Sequence, residues 1–507
     1  MKNFNCFFIF EAKRFFCKRN TIIAVLLLLL AMIFVQVGSD RYKNTQVMKQ
    51  KFQDIEKQKI EQYVTYTQYG GYGIRILFLP APVSIFFTNS GVVKDMEAFV
   101  DSGERLKIYL PLLGKNLFAA NSKWPVDFAG IILFFGSLLS LFYGFDSLSG
   151  KEYLRFLAPL AGTAQVFVFM ILSRIILLFF FFLAVFGCGL GLVFLNGIAL
   201  PIGGYSLFYC LVMLITAACF FAAGALFGTF KFKITAAIYA LCCWFILIFV
   251  VPMTIAFTVE SKANDITSIY QLELEKLKIA MDFEKRSIVK AGTFNYGKTA
   301  SDLDRDLVSS YWQNDFKKIL ALEEDLKQQM QENIALHHRL SMLSPAGFYF
   351  AVCNEISGAG YKNAIEYFAY VQQLKSEFVR FYINKMYFEN FSRVIPFITG
   401  DQNIYNARPR LPGYYFWGLL LNALYTGLFL WGTYYRYKKA LYTCDGVAPT
   451  TNSAAVPVLK LEKGDFKVWE VRGDLFRCQI YNLLSGWTGK TTPGVAALKL
   501  SIDGQTL

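Results

Sequence analysis

The sequence has 507 residues, of which 55% are hydrophobic, 17% aromatic and only 17% charged. Soluble globular proteins carry about 25% charged residues, so this composition argues against a soluble enzyme and indicates a membrane protein. The 51 Phe and 29 Tyr residues exclude a disordered chain, and two His residues leave little for His-based metal chemistry. The net charge of +14 comes from Lys and Arg residues that flank apolar segments, so we expect no nucleic-acid partner.

The first 20 residues predict an amphipathic helix in the membrane interface. Five basic residues and several Phe residues occur there with Glu11, the only acidic residue of the segment. A basic amphipathic helix lies in the interface with its apolar face towards the lipid. We expect Lys13 and Arg14 to orient this interface helix on the cytoplasmic side. The alternative is a positively charged leader without fixed structure.

Six apolar segments are long enough to cross a membrane as helices, since one span needs about 20 residues. If the N-terminus is cytoplasmic, alternate crossing places every basic cluster and both termini on the inner side. The first span is interpreted as an uncleaved anchor, because no small-residue cleavage site follows it. We therefore predict an all-α polytopic membrane protein with six transmembrane helices. The predicted spans are Thr21–Val37, Phe128–Phe145, Ile175–Phe194, Ser206–Thr229, Ile234–Phe257 and Phe416–Tyr435.

The loops between these spans differ greatly in size. Residues 39–127 and 258–413 are predicted to lie outside the membrane, the second as a mostly helical domain. The segment 146–174, between the second and third spans, and the tail 436–507 are predicted to be cytoplasmic.

The first outside segment begins with the polar stretch Arg41–Tyr63, which we expect to be helical. Gly70, Gly71 and Gly73 follow it. These glycines lack the spacing and the following Lys of a phosphate-binding loop, so they predict a turn into a short strand or a loop.

The second outside segment shows apolar residues at helical spacing between Leu272 and Met330, which predicts two long helices that fold back on each other. Pro345 predicts the first turn of a new helix, and Gly358 and Gly360 predict an interruption after it. A later apolar set forms either the core of this domain or a site for a ligand or partner, and we prefer the core. Its members are Tyr367, Phe368, Val371, Phe378, Phe381 and Tyr382.

Few residues suggest chemistry. His337 and His338 are neighbours on a predicted helix, so they point about 100° apart, and we expect both to be solvated rather than to bind one metal ion. Arg174 lies either deep in the bilayer, where a charge is costly and commonly functional, or at the inner boundary of the third span, where its side chain reaches the lipid headgroups, and we prefer the boundary. Cys353 is the only cysteine predicted outside, so no intrachain disulfide is expected. The sequence shows no catalytic set and no metal-ligand spacing, and we expect no enzyme activity in this chain.

Residues Phe145–Glu152 follow the second predicted span and read Phe-Asp-Ser-Leu-Ser-Gly-Lys-Glu. Together with the six spans, the basic start and the Leu343–Pro345 turn, this stretch resembles the ABC-2 type permease subunits of ATP-driven transporters. The similarity is to the branch with two large exported loops, which includes gliding-motility-like permeases. It covers residues 1–440 and implies a bacterial inner-membrane protein.

The resemblance implies that this cytoplasmic stretch docks on a separate ABC ATPase subunit. ATP is then used by that partner, and this chain binds no cofactor. The resemblance also implies a dimer with a second permease protomer, identical or different, surrounded by membrane lipids. The family commonly continues with a Gly-Thr pair that is absent here. The implied coupling residues are Asp146, Ser149, Gly150, Lys151 and Glu152.

The tail, residues 456–507, resembles the opening strands and first helix of an ABC ATPase domain. Its stretch Leu475–Ile480, where such a domain has the phosphate-binding loop, holds neither Lys nor Ser or Thr. Lys490 and Thr491 end a sequence like that loop, but Leu484 stands where its first Gly is required. We therefore expect a degenerate, truncated α+β fragment that binds no ATP.

Two functions fit these observations. The first is a transporter permease subunit, an exporter that is driven by a separate ATPase through rocking of its spans. The second is an envelope scaffold or mechanotransmission protein, whose outside domains bind a partner without cargo crossing the membrane. The outside segments of 89 and 156 residues favour the second function, because a minimal exporter needs less.

Overall fold

The chain is mostly helical in the computed structural model. The structure describes residues 8–9, 11–13, 15, 18–63, 65–88, 97–101, 106–108, 126–148, 162–200, 203–291, 301–389, 394–397, 402–442 and four short strands within 462–506. In chain order the helices are α1 (Lys18–Gln62), α2 (Tyr66–Tyr72), α3 (Phe128–Leu148), α4 (Thr163–Leu195), α5 (Gly204–Gly228), α6 (Lys233–Ala263), α7 (Ile269–Ala291), α8 (Asp302–Ser310), α9 (Phe316–Ser341), α10 (Pro345–Ile356), α11 (Tyr361–Ile383) and α12 (Tyr415–Tyr442).

Five of these helices, α1 and α3 to α6, are long and apolar enough to cross a membrane. They contain the first five predicted spans. Helix α1 continues without a break through the polar residues after Arg41, so the predicted helix there is confirmed. Short π-helical turns interrupt α3 at Ile132–Gly136 and α6 at Ile246–Val250.

The sixth predicted span corresponds to α12, which is not among those five helices. Asn422, Thr426 and several Tyr and Trp residues lower its mean hydropathy. The helix packs along α5, and a row of large apolar side chains on its other side is exposed. The row consists of Phe416, Trp417, Leu420, Leu424, Leu428, Trp431 and Tyr435.

Helix α5 lies at the centre of the bundle, against α3 and α12. Glycines allow the backbones of α3 and α5 to approach closely, as is common between membrane helices. A Cβ atom at Gly224 would lie 1.9 Å from the carbonyl oxygen of Leu141, and one at Gly144 would lie 2.0 Å from that of Phe221. Larger side chains at these two positions would force the helices apart.

The helices between α6 and α12 form a second packed unit. Helices α7 and α9 are antiparallel, since Lys276 pairs with Glu323 and Arg286 with Asp315, which confirms the predicted pair of long helices. Pro345 occupies the first turn of α10, as predicted. Four of the six residues of the predicted apolar set are buried, so the core interpretation is confirmed for Tyr367, Phe368, Val371 and Phe378.

The described residues also form a four-stranded sheet, so the chain is mostly helical rather than all-α. The strand order is β3 (Leu106–Ile108), β2 (Glu97–Val100), β1 (Ile74–Leu79) and β4 (Ile404–Asn406). Strand β1 follows Gly73, whose φ of 60° makes the predicted turn. Its parallel pairing with β4 joins two segments more than 300 residues apart, and such distant, three-residue strands leave no periodic pattern in the sequence.

The predicted ATPase-like tail lies largely outside the described residues. Within it the structure describes two antiparallel ladders of two-residue strands. The first joins β5 (Glu462–Lys463) to β6 (Leu498–Lys499), and the second joins β7 (Ser501–Ile502) to β8 (Gln505–Thr506).

Candidate functional site: a buried arginine where the N-terminal helix meets the bundle

Arg174 is the only charged residue in the 33-residue helix α4, and its side chain is completely buried. A charged group among apolar helices is costly unless it is paired, and residues of this kind are commonly functional. The prediction that Arg174 extends to the lipid headgroups is therefore wrong. Its guanidinium group instead points into the bundle, towards the end of α3.

Four groups from three residues surround the guanidinium. Nη2 of Arg174 lies 2.7 Å from Oε2 of Glu11, and both side chains are buried. Nη1 donates a hydrogen bond of 3.0 Å to the carbonyl oxygen of Tyr143 and lies 3.7 Å from Oδ2 of Asp146. The Cζ atom also stands 4.9 Å from the centre of the Tyr143 ring, within the range of a cation–π contact.

Helix α3 contributes two groups to this site, the carbonyl oxygen of Tyr143 and the carboxylate of Asp146, from residues one turn apart. These two groups and the carboxylate of Glu11 compensate for the burial of the Arg174 charge.

The N-terminal interface helix reaches the site through Glu11 and Phe15. Phe15 is buried and packs edge-on against Tyr143, with ring centres 5.1 Å apart, and against Phe181 of α4. Glu11 and Phe15 are four residues apart and so share one face of a helix. Through this face the interface helix packs against α3 and α4.

The predicted site residues occupy different places relative to this cluster. Asp146 belongs to it, with its side chain about half exposed. Lys13 is exposed on the interface helix, and Glu11 makes a contact with the bundle. Arg14 and the four residues Ser149, Gly150, Lys151 and Glu152 lie outside the described residues, so their roles stay predictions.

Sequence reasoning did not pair Glu11 with Arg174, although a signal existed. Glu11 is the only acidic residue among the first 20, and Arg174 is the only charge within a long apolar helix. A lone acid and a lone base in segments that both meet the membrane are candidates for a pair. The arrangement pairs buried charges and fixes the helices that carry them relative to one another. Within the described residues, no group of His, Cys, Asp and Glu side chains could hold a metal ion.

The opposite end of the bundle is closed by α10. The Tyr349 hydroxyl lies 2.8 Å from that of Tyr209 on α5 and 3.2 Å from the carbonyl oxygen of Ala129 on α3. The ring of Phe348 fits against Gly418 of α12, where a Cβ atom would lie only 2.4 Å from it. Helix α10 therefore fits between the ends of α3, α5 and α12.

A buried His–Glu pair connects α10 to the adjacent helices. His338 Nε2 lies 3.2 Å from Oε1 of the completely buried Glu355, and its Nδ1 is hydrogen-bonded to the hydroxyl of Tyr414. Burial, together with the adjacent His338 ring, lowers the pKa of His337 to about 3. The prediction that both histidines are solvated is wrong, because α9 ends against α10 and α12 instead of facing water.

These contacts define two ends of the bundle, one held by the Arg174 cluster and the other by α10. Comparison of the chain with protein-family models, with curated proteins and with solved structures gives no match. The functional assignment therefore depends on the residues and contacts described above.

Proposed function

We propose that this chain is the membrane-spanning permease subunit of an ABC-2 type transporter, an exporter powered by a separate ATPase subunit in a bacterial inner membrane. The observation that carries the proposal is the Arg174 cluster. It joins the interface helix, the end of α3 and the start of α4 immediately before the Ser149–Glu152 stretch that resembles an ATPase-docking segment.

The membrane topology in this proposal has six spans, with α12 as the sixth. Helix α12 packs along α5 as a member of the bundle, and its exposed face is a row of large apolar and aromatic side chains suited to lipid. The Arg174 end of the bundle is then cytoplasmic and the α10 end is outside. Lys231, Lys233 and Arg436 fall at the cytoplasmic end in this orientation, as the positive-inside rule requires.

The proposed mechanism uses the cluster as a rigid joint. Movement of a partner docked on Asp146 and the following residues would shift the end of α3. Because Arg174 holds α3 to α4 and to the interface helix, the three elements would move together. A closure of the ATPase would thus bias the spans between two arrangements.

The test is to isolate the tagged full-length chain from its native membranes in mild detergent and to quantify the co-purifying proteins by mass spectrometry. We expect an ABC ATPase at about one copy per permease, the ratio of one docking stretch per chain. Asp146→Arg should lower the recovery of that ATPase. The control is Asp282→Arg, the same change at an exposed Asp on α7, which should leave it unchanged. Recovery of the chain without any ATPase would contradict the proposal.

One observation favours the second candidate, an envelope scaffold or mechanotransmission protein. Helix α10 places part of the large 258–413 segment between the ends of the apolar helices, with buried contacts to α3, α5 and α12. A movement of the spans would be transmitted directly to that segment. In this function the same purification would recover envelope proteins in a fixed ratio, and transport of cargo would be absent.

A further inference from the structure

Helix α7 carries an exposed apolar stripe along its whole length. Its five apolar members are between 37% and 73% exposed, although the helix lies in the packed, non-spanning part of the chain. The spacing of the stripe alternates between four and three residues, which is the heptad spacing of a two-stranded coiled coil. We call it the α7 seam; it consists of Tyr270, Leu274, Leu277, Met281, Glu284 and Ile288.

The α7 seam is not the face by which α7 packs on its own domain. That face is formed by Leu272, Lys276 and Ser287, which are buried. At 100° per residue these three positions centre about 125° around the helix from the centre of the seam. Helix α7 therefore has one face that the described chain covers and, separate from it, the apolar seam that stays exposed.

The direction of α7 limits what can cover the other face. Helix α9 runs antiparallel to α6, since Asn333 donates to the carbonyl oxygen of Val259 and Ser344, just beyond the end of α9, donates to that of Leu247. It is also antiparallel to α7. Helix α7 therefore continues in the same sense as α6. Between the levels of Asn333 and Asp315 the helical rise amounts to about 27 Å. The seam thus extends away from the apolar bundle and cannot lie flat on a membrane surface.

We propose that the α7 seam pairs with the same seam of a second copy of this chain, as a parallel two-stranded coiled coil. The inference rests on the proposed membrane placement of the bundle. Two copies inserted with the same orientation are related by a two-fold axis along the membrane normal. Because α7 continues the direction of α6, that axis makes the two α7 helices parallel.

The charges beside the seam agree with the parallel arrangement. Glu273 lies on one flank, and Lys278 and Lys285 lie on the other. In a parallel pair, opposite flanks meet, so Glu273 faces Lys278 of the second copy. An antiparallel pair would bring the Lys flanks of the two copies together. The proposed pair therefore has complementary charges in one orientation only.

Glu284 is the one charged member of the seam. A charged or polar residue in such a seam lowers stability and fixes register, so the natural pair should be weak. Replacing Glu284 by Leu removes this penalty and completes the apolar stripe. We expect E284L to shift the full-length chain in detergent towards the dimer, with an at least several-fold lower dissociation constant. Leu277→Glu should shift it towards the monomer.

Site-specific crosslinking tests the pairing and its direction. Tyr270→Cys and Ile288→Cys are placed at the two ends of the seam in the full-length chain and treated in native membranes with a short bis-maleimide. In a parallel pair each variant crosslinks to itself. The control is Glu275→Cys, an exposed position on α7 outside the seam, and the unmodified chain gives the background of the native cysteines.

Every outcome decides the inference. Self-crosslinking of both seam variants, lost in combination with Leu277→Glu, supports it. Crosslinks only in a mixture of the two variants would indicate an antiparallel pair and overturn it, as would crosslinks to a different protein or none above background. The ATPase co-purification is scored separately. Seam crosslinks without an ATPase would refute the proposed function alone, and an ATPase without seam crosslinks would refute this inference alone.

Discussion

An ion cluster is buried among the apolar helices and another in the non-spanning helices, and the two are built around residues of opposite charge. In the second cluster Oε1 of Glu323 lies 2.7 Å from Nζ of Lys276 and 2.9 Å from Nζ of Lys375. All three side chains are buried, and the partly exposed Glu273 also lies 3.3 Å from Nζ of Lys276. In the first cluster one cation, Arg174, holds two acids.

The two clusters differ in the exposure of their charges. Both cations of the Glu323 cluster are buried, where they tie α7 and α11 to α9, and the second acid, Glu273, lies against Lys276 with 31% of its side chain exposed. In the Arg174 cluster the surplus acid, Asp146, is about half exposed. The first arrangement braces three helices, whereas the second presents a fixed charge at the surface. Burial thus separates a structural ion cluster from a candidate docking site.

The largest effect is expected from removing the acid of the bracing cluster. Burial raises the pKa of Glu323, but Lys375 and Lys276 outweigh it and the pKa is lowered overall. Glu323→Leu would remove the buried acid that two buried ammonium groups share and should destabilise the chain by about 3–5 kcal/mol. Thermal unfolding followed by tryptophan fluorescence measures this loss.

Glu324→Leu is the matched control for Glu323→Leu. Glu324 is the next residue, is exposed, and pairs only with Lys327 one turn away on the same helix. Exposed pairs contribute about 0.2–1 kcal/mol, so this variant should unfold close to the wild-type temperature. Equal losses in the two variants would contradict the bracing role of Glu323.

The Arg174 cluster should show a comparable loss that a second mutation reverses in part. Arg174→Leu leaves Glu11 buried without its cation, at a cost of about 3–5 kcal/mol, and Glu11→Leu leaves Arg174 with only its more distant acid. The double variant removes both charges and should be less destabilised than Arg174→Leu. Additive losses in this double-mutant cycle would show that the two residues do not act as a pair.

The contrast between local and distant contacts explains what the sequence could predict. Five of the six predicted spans fall on helices long and apolar enough to cross a membrane, and Pro345 and Gly73 mark the start of α10 and the turn before β1 as predicted. All of these follow from signals within a few residues. The pair of Glu11 and Arg174 joins residues 163 positions apart, and β1 pairs with a three-residue strand still farther away. No local pattern records such contacts.

The two histidines are another case in which the local sequence does not predict the contacts of a residue. Adjacent polar residues on a helix rich in Glu, Lys and Gln indicate a solvated face, and most of α9 is of this kind. Only its last turns meet α10 and α12, where His338 finds Glu355. Whether the end of a helix is buried depends on elements that lie elsewhere in the chain. The composition of α9 therefore predicts solvated side chains at these two positions, although they pack against other helices.

A smaller effect is expected from pH. Burial and the adjacent His338 ring lower the pKa of His337 to about 3, below its ordinary value of 6.5. The unfolded chain therefore binds a proton below pH 6.5 that the folded chain does not, and stability falls as pH falls. The loss between pH 7 and pH 5 should be about 2 kcal/mol from this residue. Thermal unfolding at both pH values measures it.

Substitution of His337 isolates this contribution. His337→Leu should lose less stability between pH 7 and pH 5 than the wild-type chain, because the titrating group is absent. Gln331→Leu, an exposed change on the same helix, should keep the wild-type pH dependence. A pH slope unchanged in His337→Leu would assign the effect to other groups.

The smallest effect on stability is expected at the residue with the most direct role in the proposed function. Asp146 is about half exposed and lies 3.7 Å from Arg174, which Glu11 already neutralises at 2.7 Å. Asp146→Asn should therefore cost less than about 1 kcal/mol in thermal unfolding. If Asp146 docks the ATPase, the same variant should still lower ATPase recovery, whereas Asp282→Asn should change neither property. A large loss of stability without a loss of ATPase recovery would give Asp146 a structural role. Both clusters would then stabilise the packing of helices, and they would differ only in their place in the chain.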